Sequence, residues 1–586
     1  MTAPWSTIPR LIDDAAERFA EVEAIADGEI SWTFAEFRTE IHRAAAALMA
    51  SGIEAGDRVA LWAPNCWEWA TAALGVHVAG GIVVPINTRF KGREAAYVME
   101  ASQVRVLFTV TDFLDTDYVS LLTEAGLPAK LEEVIVLRGS VPETATDFAS
   151  FMDRAGEVDA AAVVARAENV GGDDLCNIMF TSGTTGAPKG AMLTHSATCR
   201  GYKSWSDVIG LDRDRYLIIN PFFHSFGLNA GILACLMTGS TILPHPVFDV
   251  PSVMARIPVD RVSMLPGPPA IYQTILNHPD LDTFDMSTLR LAVTGAAAIP
   301  VEMIVQMRER LGFEKVVTGY GLTETTGIAT MCRHTDDPEV IATTSGRAIP
   351  DVEVRIVDPD GEETPRGEPG EIVVRGYNVM VGYLDDPERT AETIDADGWL
   401  HTGDIGVMDA AGNIDITDRV KDMFINGGFN TYPAEIEATM LEHQAVGQVA
   451  VIGVPDERLG EVGAAFVVPA PTGPPDLEEL GEWCKKQMAN YKVPRYFWIV
   501  EELPLNPSNK VLKTELREIA TKYVTKGREW ASDVFTQCGG EVRESKKDDA
   551  VDMVESKKPA DTEFEAFEDT MKGVDEDSDS SISNDE

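Results

Sequence analysis

The chain has 586 residues, of which 44% are hydrophobic and 25% are charged, a composition that indicates a globular protein with several subdomains. Asp and Glu number 95 against 49 Lys and Arg, so the formal net charge is −46 at neutral pH. This balance excludes nucleic acid and anionic membrane surfaces as partners, because both would repel the protein. Seven cysteines without a C-x-x-C pair indicate a reducing compartment, with neither a disulfide framework nor structural zinc.

The N-terminal segment MTAPWSTIPRLIDDAAERFAE lacks the apolar centre of a signal peptide and has the pattern of an amphipathic helix. The longest uncharged stretch, residues 69–87, is interrupted by His77, Pro85 and several glycines. It predicts a helix followed by a buried strand rather than a membrane span. We therefore predict a cytoplasmic protein without a membrane span.

Helical patterns then alternate with short runs of β-branched residues up to about Arg419, as at 58–64, 81–87, 105–110 and 132–138. This alternation predicts an α/β fold in which helices cover mostly parallel sheets. From about Asp351 two alternating strands surround Gly- and Pro-rich turns, which predicts a small antiparallel β region. We assign residues 1–420 to one large N-terminal domain.

A smaller α+β domain is predicted for residues 421–523. It begins near the helix pattern TYPAEIEATMLEH, with Pro433 near the helix start and acidic residues in the first turn, and continues with the strand at 448–454. Residues 524–586 are rich in Asp, Glu, Ser and Lys and poor in apolar side chains. Such a segment cannot bury enough surface to offset its ordering entropy, so we predict a disordered acidic tail.

The segment TSGTTGAPKG at 181–190 follows a predicted buried strand, LCNIMF. Its glycines let the backbone approach a polyanion, its hydroxyl groups donate to phosphate oxygens, and its lysine adds positive charge. The pattern differs from the Walker loop. A match to only a shorter part of this segment would also be consistent with a flexible surface turn. The residues that we predict to bind phosphate are Thr181, Ser182, Gly183, Thr184, Thr185 and Lys189.

All ten residues of this segment resemble the phosphate loop of the adenylate-forming superfamily, and the resemblance extends over roughly residues 10–520. Further segments resemble signatures of the AMP-forming acyl-CoA synthetases and follow each other in that family's order: NPFFHSFG (220–227), TGAAAIP (294–300), YGLTETTG (320–327), GWLHTGDIG (398–406), DRVKDMFINGGFNTYPAEIE (418–437) and LPLNPSNKVLK (503–513). The resemblance implies ATP and coenzyme A as co-substrates and Mg²⁺ as the metal.

The resemblance assigns adenine to Tyr320 and to the small residues Gly295, Ala296 and Ala297, against which a flat base can lie. Asp404 and Arg419 match the family's ribose contacts. Thr323 matches the donor to the α-phosphate and Glu324 the magnesium carboxylate, for which one carboxylate plus phosphate oxygens and water suffices. An ordinary core tyrosine, a surface arginine and solvated carboxylates are the alternatives.

The resemblance also assigns the acyl site. Phe223, His224, Phe226 and Gly227 match the pocket for the carboxylic acid, although a lone histidine among aromatics is more often a core residue. The stretch FFHSFGLNAG lacks the aspartate with which relatives hold an amino-acid ammonium group.

The C-terminal matches concern a mobile domain. Lys510 matches the catalytic lysine, with Asn509 in place of the usual glycine and Lys513 as the competing candidate. Lys421 matches the hinge, and Gly427 and Gly428 match the loop that reaches the active site after rotation. The sequence GGFN departs from the commoner GGEN, which puts in doubt any role of that glutamate.

The resemblance implies a ligase that activates a carboxylic acid as its acyl-adenylate and transfers the acyl group to coenzyme A. Segments outside these motifs, such as 219–245 and 263–276, resemble the synthetases of bacterial steroid degradation that act on a bicyclic methylhexahydroindanedione propanoate (HIP). Medium- or long-chain fatty acids are the alternative in lipid metabolism. A carrier-loading adenylation enzyme, a luciferase-like oxidase and an inactive scaffold protein are alternative functions, and both monomer and homodimer remain open.

Overall fold

The computed structural model describes residues 4–181, 188–295, 301–419, 424–456, 458–470, 473–504, 511 and 513–526. Several predicted site residues lie outside these ranges: Ser182, Gly183, Thr184, Thr185, Ala296, Ala297, Lys421 and Lys510. The backbone of Arg419 is described and its side chain is not. Of the predicted tail, residues 527–586 also lie outside the described part.

The first sheet of the N-terminal part has eight strands, and its centre is parallel. Its strands, in spatial order, are Gly382–Tyr383, Lys189–Thr194, Leu175–Thr181, Ile82–Pro85, Arg58–Trp62, Val106–Val110, Glu133–Arg138 and Thr146–Asp147. The predicted strands at 58–64, 81–87, 105–110 and 132–138 all lie in it. Their side chains are buried almost without interruption, as expected for strands covered by helices on both faces.

Two four-stranded sheets follow and are joined through isolated bridges at Met264. Their strands are Arg215–Ile218, Thr241–Pro244, Glu23–Asp27 and Ile30–Thr33 in one, and Leu291–Gly295, Lys315–Tyr320, Thr330–Met331 and Arg347–Ala348 in the other. An antiparallel sheet comes next, as predicted from Asp351 onwards. Its strands are Val352–Val357, Pro369–Gly376, Leu400–Met408 and Ile414–Arg419.

Helices pack between and around these sheets. The first, Ile8–Arg18, is capped by the Thr7 side chain and buries one face, in agreement with the predicted amphipathic helix. The uncharged stretch 69–87 forms most of the helix Trp67–Val78 and the strand Ile82–Pro85. The other helices of the N-terminal part are Phe34–Ala50, Gly92–Ala101, Tyr118–Ala125, Phe148–Asp153, Ala160–Glu168, His195–Ile209, Ser225–Gly227, Ala234–Thr238, Val250–Val259, Pro269–Leu276, Val301–Arg310, Pro338–Thr343 and Pro387–Thr393.

The C-terminal part has its own sheet and two hydrophobic cores, one on each face. Its strands are Phe429–Thr431, Phe424–Asn426, Gly460–Pro469, Val446–Asp456 and Tyr496–Ile499. Its helices are Pro433–Met440, Leu477–Gln487 and Lys513–Lys526. The predicted fold class, a large layered α/β domain followed by a small α+β domain, is confirmed. The exact boundary at 420/421 stays a prediction, because residues 420–423 lie outside the described ranges.

None of the helices in the described part of the chain combines the length and the apolar composition that a bilayer span needs.

Candidate active site

The segment predicted to bind phosphate connects two antiparallel strands of the eight-stranded sheet. Thr181 ends the first strand and Lys189 begins the second, and the two residues lie directly opposite each other. The predicted phosphate segment is therefore flanked by two paired strands of this sheet. Lys189 directs its Nζ atom towards the ring of Tyr383, 5.0 Å from the ring centre.

Glu324 lies beside this hairpin, in a short 3₁₀ turn that begins at Thr323. Its Oε1 atom accepts hydrogen bonds from the Tyr383 hydroxyl at 2.8 Å and from the Thr181 hydroxyl at 3.5 Å. Its backbone carbonyl accepts from the Met380 amide at 2.8 Å. The structure therefore brings together Thr181, Lys189 and Glu324, which the sequence predicted to bind phosphate and metal.

Glu324 is well placed to contact a magnesium ion. Its second oxygen, Oε2, has no hydrogen-bond partner among the residues that the structure describes. No group of three or more His, Cys, Asp or Glu side chains within the described ranges has the spacing of a metal site. A metal here would thus bind one carboxylate oxygen together with phosphate oxygens and water, the ligand set that Mg²⁺ prefers beside a nucleotide.

The turn that carries Glu324 is held in place by hydrogen bonds to buried polar side chains that were not predicted from the sequence. Tyr202 donates to the Thr326 carbonyl at 3.0 Å, and its hydroxyl lies 2.8 Å from the Ser225 hydroxyl. Thr326 has a positive φ of 57°, and its hydroxyl donates to the Asn378 carbonyl at 2.7 Å. The acyl-site turn and the metal-site turn are therefore joined by one buried network, a contact that no local sequence pattern reveals.

The predicted adenine and ribose contacts lie at the ends of neighbouring strands. Gly295 and Gly319 are direct partners in parallel strands, and a Cβ atom on Gly295 would lie 3.1 Å from the Gly319 carbonyl oxygen. Tyr320 follows, and its hydroxyl donates a hydrogen bond of 2.6 Å to Asp404. Asp404 lies opposite Arg419 in an antiparallel pair. A flat base beside Tyr320 would thus have its ribose close to the Asp404 carboxylate.

His224 occupies the turn between strand Arg215–Ile218 and the helical segment that follows it. Its ring is accessible, and Nδ1 accepts a hydrogen bond from the Phe226 amide at 3.1 Å. The surrounding protein desolvates the ring and lowers the pKa of His224 below its ordinary value. Because Nδ1 accepts this bond, the ring proton of the neutral imidazole lies on Nε2, which can act as a donor.

The aromatic residues next to His224 have different environments. Phe223 and Phe226 are half-buried, and Phe226 packs edge-to-face on Trp205 with ring centres 6.1 Å apart. Gly227 is buried, and a Cβ atom there would lie 2.1 Å from the Pro221 carbonyl oxygen. The close backbone approach thus explains this glycine. A π-helical turn, Leu228–Leu233, follows it, a distortion that is frequent at functional sites.

The GGFN loop lies at the boundary between the two parts of the chain. Gly427 and Gly428 form an exposed hairpin turn with φ of 57° and 84°, a conformation that suits glycine. Phe429 stacks on Tyr491 with ring centres 4.8 Å apart, and the Arg89 guanidinium lies 4.2 Å from the Phe429 ring centre. Phe429 therefore contacts Arg89 of the N-terminal part through its aromatic ring. The glutamate that is commoner at this position would instead carry a negative charge.

A buried lysine makes a second contact across this boundary. Lys492 is 2% exposed, and its Nζ atom lies 2.7 Å from Glu94 of the N-terminal part and 2.6 Å from Glu435 of the C-terminal part. Burial disfavours the lysine charge, but Tyr491, Glu435 and Glu94 outweigh it and raise the pKa of Lys492. Neither this lysine nor Arg89 was predicted, because the partners are far apart in the sequence.

Of the two candidate catalytic lysines, the structure describes Lys513 and not Lys510. Lys513 begins the last helix, and its Nζ atom is 2.7 Å from Glu437 Oε1. The same oxygen also accepts from the Val451 amide at 2.7 Å. Lys513 therefore serves the packing of the C-terminal part, and Lys510 stays the predicted catalytic lysine, outside the described residues.

Comparisons with known proteins identify the family of this chain. The AMP-binding enzyme family matches residues 12–384, and the AMP-binding enzyme C-terminal domain matches residues 435–510. The 3-[(3aS,4S,7aS)-7a-methyl-1,5-dioxo-octahydro-1H-inden-4-yl]propanoyl:CoA ligase of Rhodococcus jostii is 47% identical over 523 residues, which are 88% of this chain and 99% of the relative. The ligase of the same name from Mycobacterium tuberculosis is 47% identical over 515 residues, with the same coverage.

A solved structure gives the same result for the fold. A double mutant of the o-succinylbenzoate CoA synthetase from Bacillus subtilis, bound with its product analogue, superposes with a TM-score of 0.71. The two sequences are 27% identical, and the alignment covers 87% of this chain and 98% of that chain. The two family matches contain Thr181, Lys189, His224, Gly295, Tyr320 and Glu324, whereas Asp404, Arg419, Gly427 and Gly428 lie between them. The chain therefore belongs to the AMP-binding enzyme family, and it is an acid–thiol ligase of the AMP-forming acyl-CoA synthetase type.

Proposed function

We propose that this synthetase forms the coenzyme A thioester of the bicyclic propanoate HIP, with ATP and Mg²⁺. The observation that supports the reaction is the convergence of Glu324, the hairpin 181–190 and the Tyr320–Asp404 pair at adjoining strand ends. The observation that supports the substrate is the 47% identity to the Rhodococcus jostii ligase over 99% of that protein. Such similarity extends far beyond the motifs that contact the nucleotide.

In the first half-reaction, a carboxylate oxygen attacks the α-phosphorus of ATP, the bond to the β-phosphate breaks, and pyrophosphate leaves. Tyr320 and Asp404 orient the nucleoside, and the loop with Lys189 holds the phosphates. Glu324 would hold Mg²⁺, and the bound metal would supply positive charge that offsets the charge of the leaving pyrophosphate. Lys510 would reach the oxygens of both the carboxylate and the α-phosphate, a preorganised charge that favours the transition state.

In the second half-reaction, the coenzyme A sulfur attacks the acyl carbon, the bond to AMP breaks, and the thiol proton is released. We propose that rotation at Lys421 withdraws Lys510 and brings the loop Gly427–Asn430 towards the acyl-adenylate, a hinge motion between two domain arrangements. The contacts of Phe429 with Tyr491 and Arg89 support the arrangement in which this loop faces the N-terminal part. Neutral His224, with Nε2–H as donor, would orient the acid.

The acid pocket is the element that would select a bicycle over a straight chain. A rigid bicycle fills width, whereas a fatty chain of similar size fills depth, so a misfitting acid holds its carboxylate away from the in-line position. Discrimination should therefore appear in kcat/KM, at roughly 1–3 kcal/mol for each misplaced methylene. Medium- and long-chain fatty acids are the competing substrates.

The test compares the indanedione propanoate with octanoate, dodecanoate and an intact steroid side-chain acid at saturating ATP and coenzyme A. We expect AMP and pyrophosphate as products and the highest kcat/KM for the bicycle. Phe226→Ala, which removes the ring packed on Trp205, should reduce the preference for the bicycle. Equal or greater efficiency with dodecanoate would reject the substrate proposal, and ADP as a product would reject the reaction.

A further inference from the structure

Tyr383 joins the phosphate hairpin to the metal-site turn, although no predicted motif role includes it. It belongs to the two-residue strand Gly382–Tyr383, which pairs with the strand that leaves the hairpin, with Tyr383 opposite Ala191. The backbone on both sides continues this pairing, because the Leu384 amide donates to the Gly190 carbonyl at 2.8 Å and the Val381 amide to the Met192 carbonyl at 3.0 Å. The position of Tyr383 is thus tied to the hairpin itself.

The side chain of Tyr383 contacts two groups of opposite charge. Its hydroxyl donates to Glu324 Oε1 at 2.8 Å, and the Lys189 Nζ atom lies 5.0 Å from its ring centre. Thr181 donates to the same glutamate oxygen at 3.5 Å. One aromatic residue therefore contacts both the acidic and the basic group of the phosphate site.

Tyr383 is held rigidly in this place. It is 7% exposed, and its amide donates to the Thr390 hydroxyl at 2.9 Å. A side chain on the preceding Gly382 would collide with Thr390, 2.7 Å from its methyl group, so the strand fits closely against the helix Pro387–Thr393.

We propose that Tyr383 is the positioning residue of the metal site: its hydroxyl fixes Glu324 Oε1 and thereby leaves Oε2 for the metal. The inference rests on the proposed role of Glu324 as the magnesium carboxylate. A carboxylate held through one oxygen presents the other in a fixed direction, and hydrogen-bond partners of metal ligands contribute to metal affinity in this way.

The test measures metal binding as well as turnover, with Tyr383→Phe and the matched control Tyr377→Phe. Tyr377 lies six residues earlier and is half-buried. Its hydroxyl donates a hydrogen bond to Ser204 at 3.1 Å rather than to Glu324. Mn²⁺ is titrated by electron paramagnetic resonance into each protein with ATP and without acid. We expect Mn²⁺ affinity to fall roughly tenfold in Tyr383→Phe and to stay within about twofold of wild type in the control.

Turnover gives a second readout that a merely structural role would not change. We expect Tyr383→Phe to raise the KM for magnesium-ATP and to regain most of its rate at high Mg²⁺. The melting temperatures of Tyr383→Phe and Tyr377→Phe should be equal. Equal Mn²⁺ affinity in Tyr383→Phe and Tyr377→Phe would overturn the inference. Glu324→Gln separates this from the proposed function: if that variant binds Mn²⁺–ATP like wild type, the metal assignment of Glu324 itself is wrong.

Discussion

The hydroxyl of Tyr320 donates a hydrogen bond of 2.6 Å to Asp404 Oδ2, although 84 residues separate the two positions in the chain. The bond connects the end of a parallel strand to the antiparallel sheet. It fixes the orientation of the aromatic ring and of the carboxylate relative to each other. A nucleotide bound as proposed would therefore meet, with its base and its ribose, groups that are already aligned before ATP binds.

Asp404→Asn should weaken ATP binding about tenfold or more, because a hydrogen bond to a charged group contributes roughly 1.5–3 kcal/mol. Calorimetry with ATP and with 2′,3′-dideoxy-ATP measures the effect, and the variant should lose the preference for ATP that wild type shows. Tyr320→Phe is the control, since it keeps the ring and removes only the hydrogen bond. If Asp404→Asn still prefers ATP as wild type does, Asp404 is not the ribose contact.

Lys510→Ala should lower the rate of adenylation by about 10²–10³, the effect of removing one preorganised charge donor. Thioester formation from a supplied acyl-adenylate should be largely retained. Lys513→Ala should leave adenylation much less affected, because that lysine is paired with Glu437 at 2.7 Å. Pyrophosphate release and thioester formation are measured separately for both variants. The reverse pattern, with the adenylation defect in Lys513→Ala alone, would transfer the role to Lys513.

Lys492→Met should reduce the free energy of unfolding by roughly 3–5 kcal/mol, because it leaves Glu94 and Glu435 buried without their counter-ion. The matched control is Arg93→Gln, which breaks the neighbouring pair with Glu442 across the same boundary. Those side chains are 59% and 46% exposed, so the loss should be at most about 1 kcal/mol. Urea unfolding compares the two. Equal destabilisation would show that the lysine does not stabilise the boundary.

Stability should fall as the pH falls from about 6.5 to 4. Burial lowers the pKa of His195 and of His245 to about 4, whereas unfolded histidines titrate near 6.5. Between these values the unfolded chain binds more protons, so the free energy of unfolding decreases on acidification, by on the order of 3 kcal/mol for each histidine. Urea midpoints at pH 7.5, 6 and 5 test this.

The control for the pH dependence replaces histidines in two environments. His195→Gln should flatten the dependence, because the buried ring that accepts from the Ile8 amide at 3.3 Å is removed. His278→Gln replaces a half-buried residue and should leave the dependence as in wild type. A urea midpoint that rises between pH 6 and pH 5 would contradict the prediction.

The sequence predicted the elements with a strong local signal. The runs at 58–64, 81–87, 105–110 and 132–138 became neighbouring strands, because continuous β-branched residues suit strands buried on both faces. The motif residues Thr181, Lys189 and Glu324 converge as the family resemblance implies.

The contacts between these elements are not marked by any local sequence pattern. Tyr383 belongs to a strand of two residues, which is too short for any periodicity. The pairing of Asp404 with Arg419 depends on strand register, and the aromatic contact of Phe429 with Arg89 depends on how the two domains meet. Long-range register and domain contacts arise from packing of the whole chain, so they could not be predicted from local sequence.

The stack of Phe429 on Tyr491 and beneath Arg89 bears on how the protein responds to salt. A chain with a net charge of −46 repels itself at low ionic strength, and dissolved ions relieve that repulsion within a Debye length of about 8–10 Å. If a glutamate stood in place of Phe429 and paired with Arg89, the same ions would weaken that pair. An aromatic ring carries no net charge to be screened, so this contact persists in concentrated salt, where the acidic surface is best tolerated.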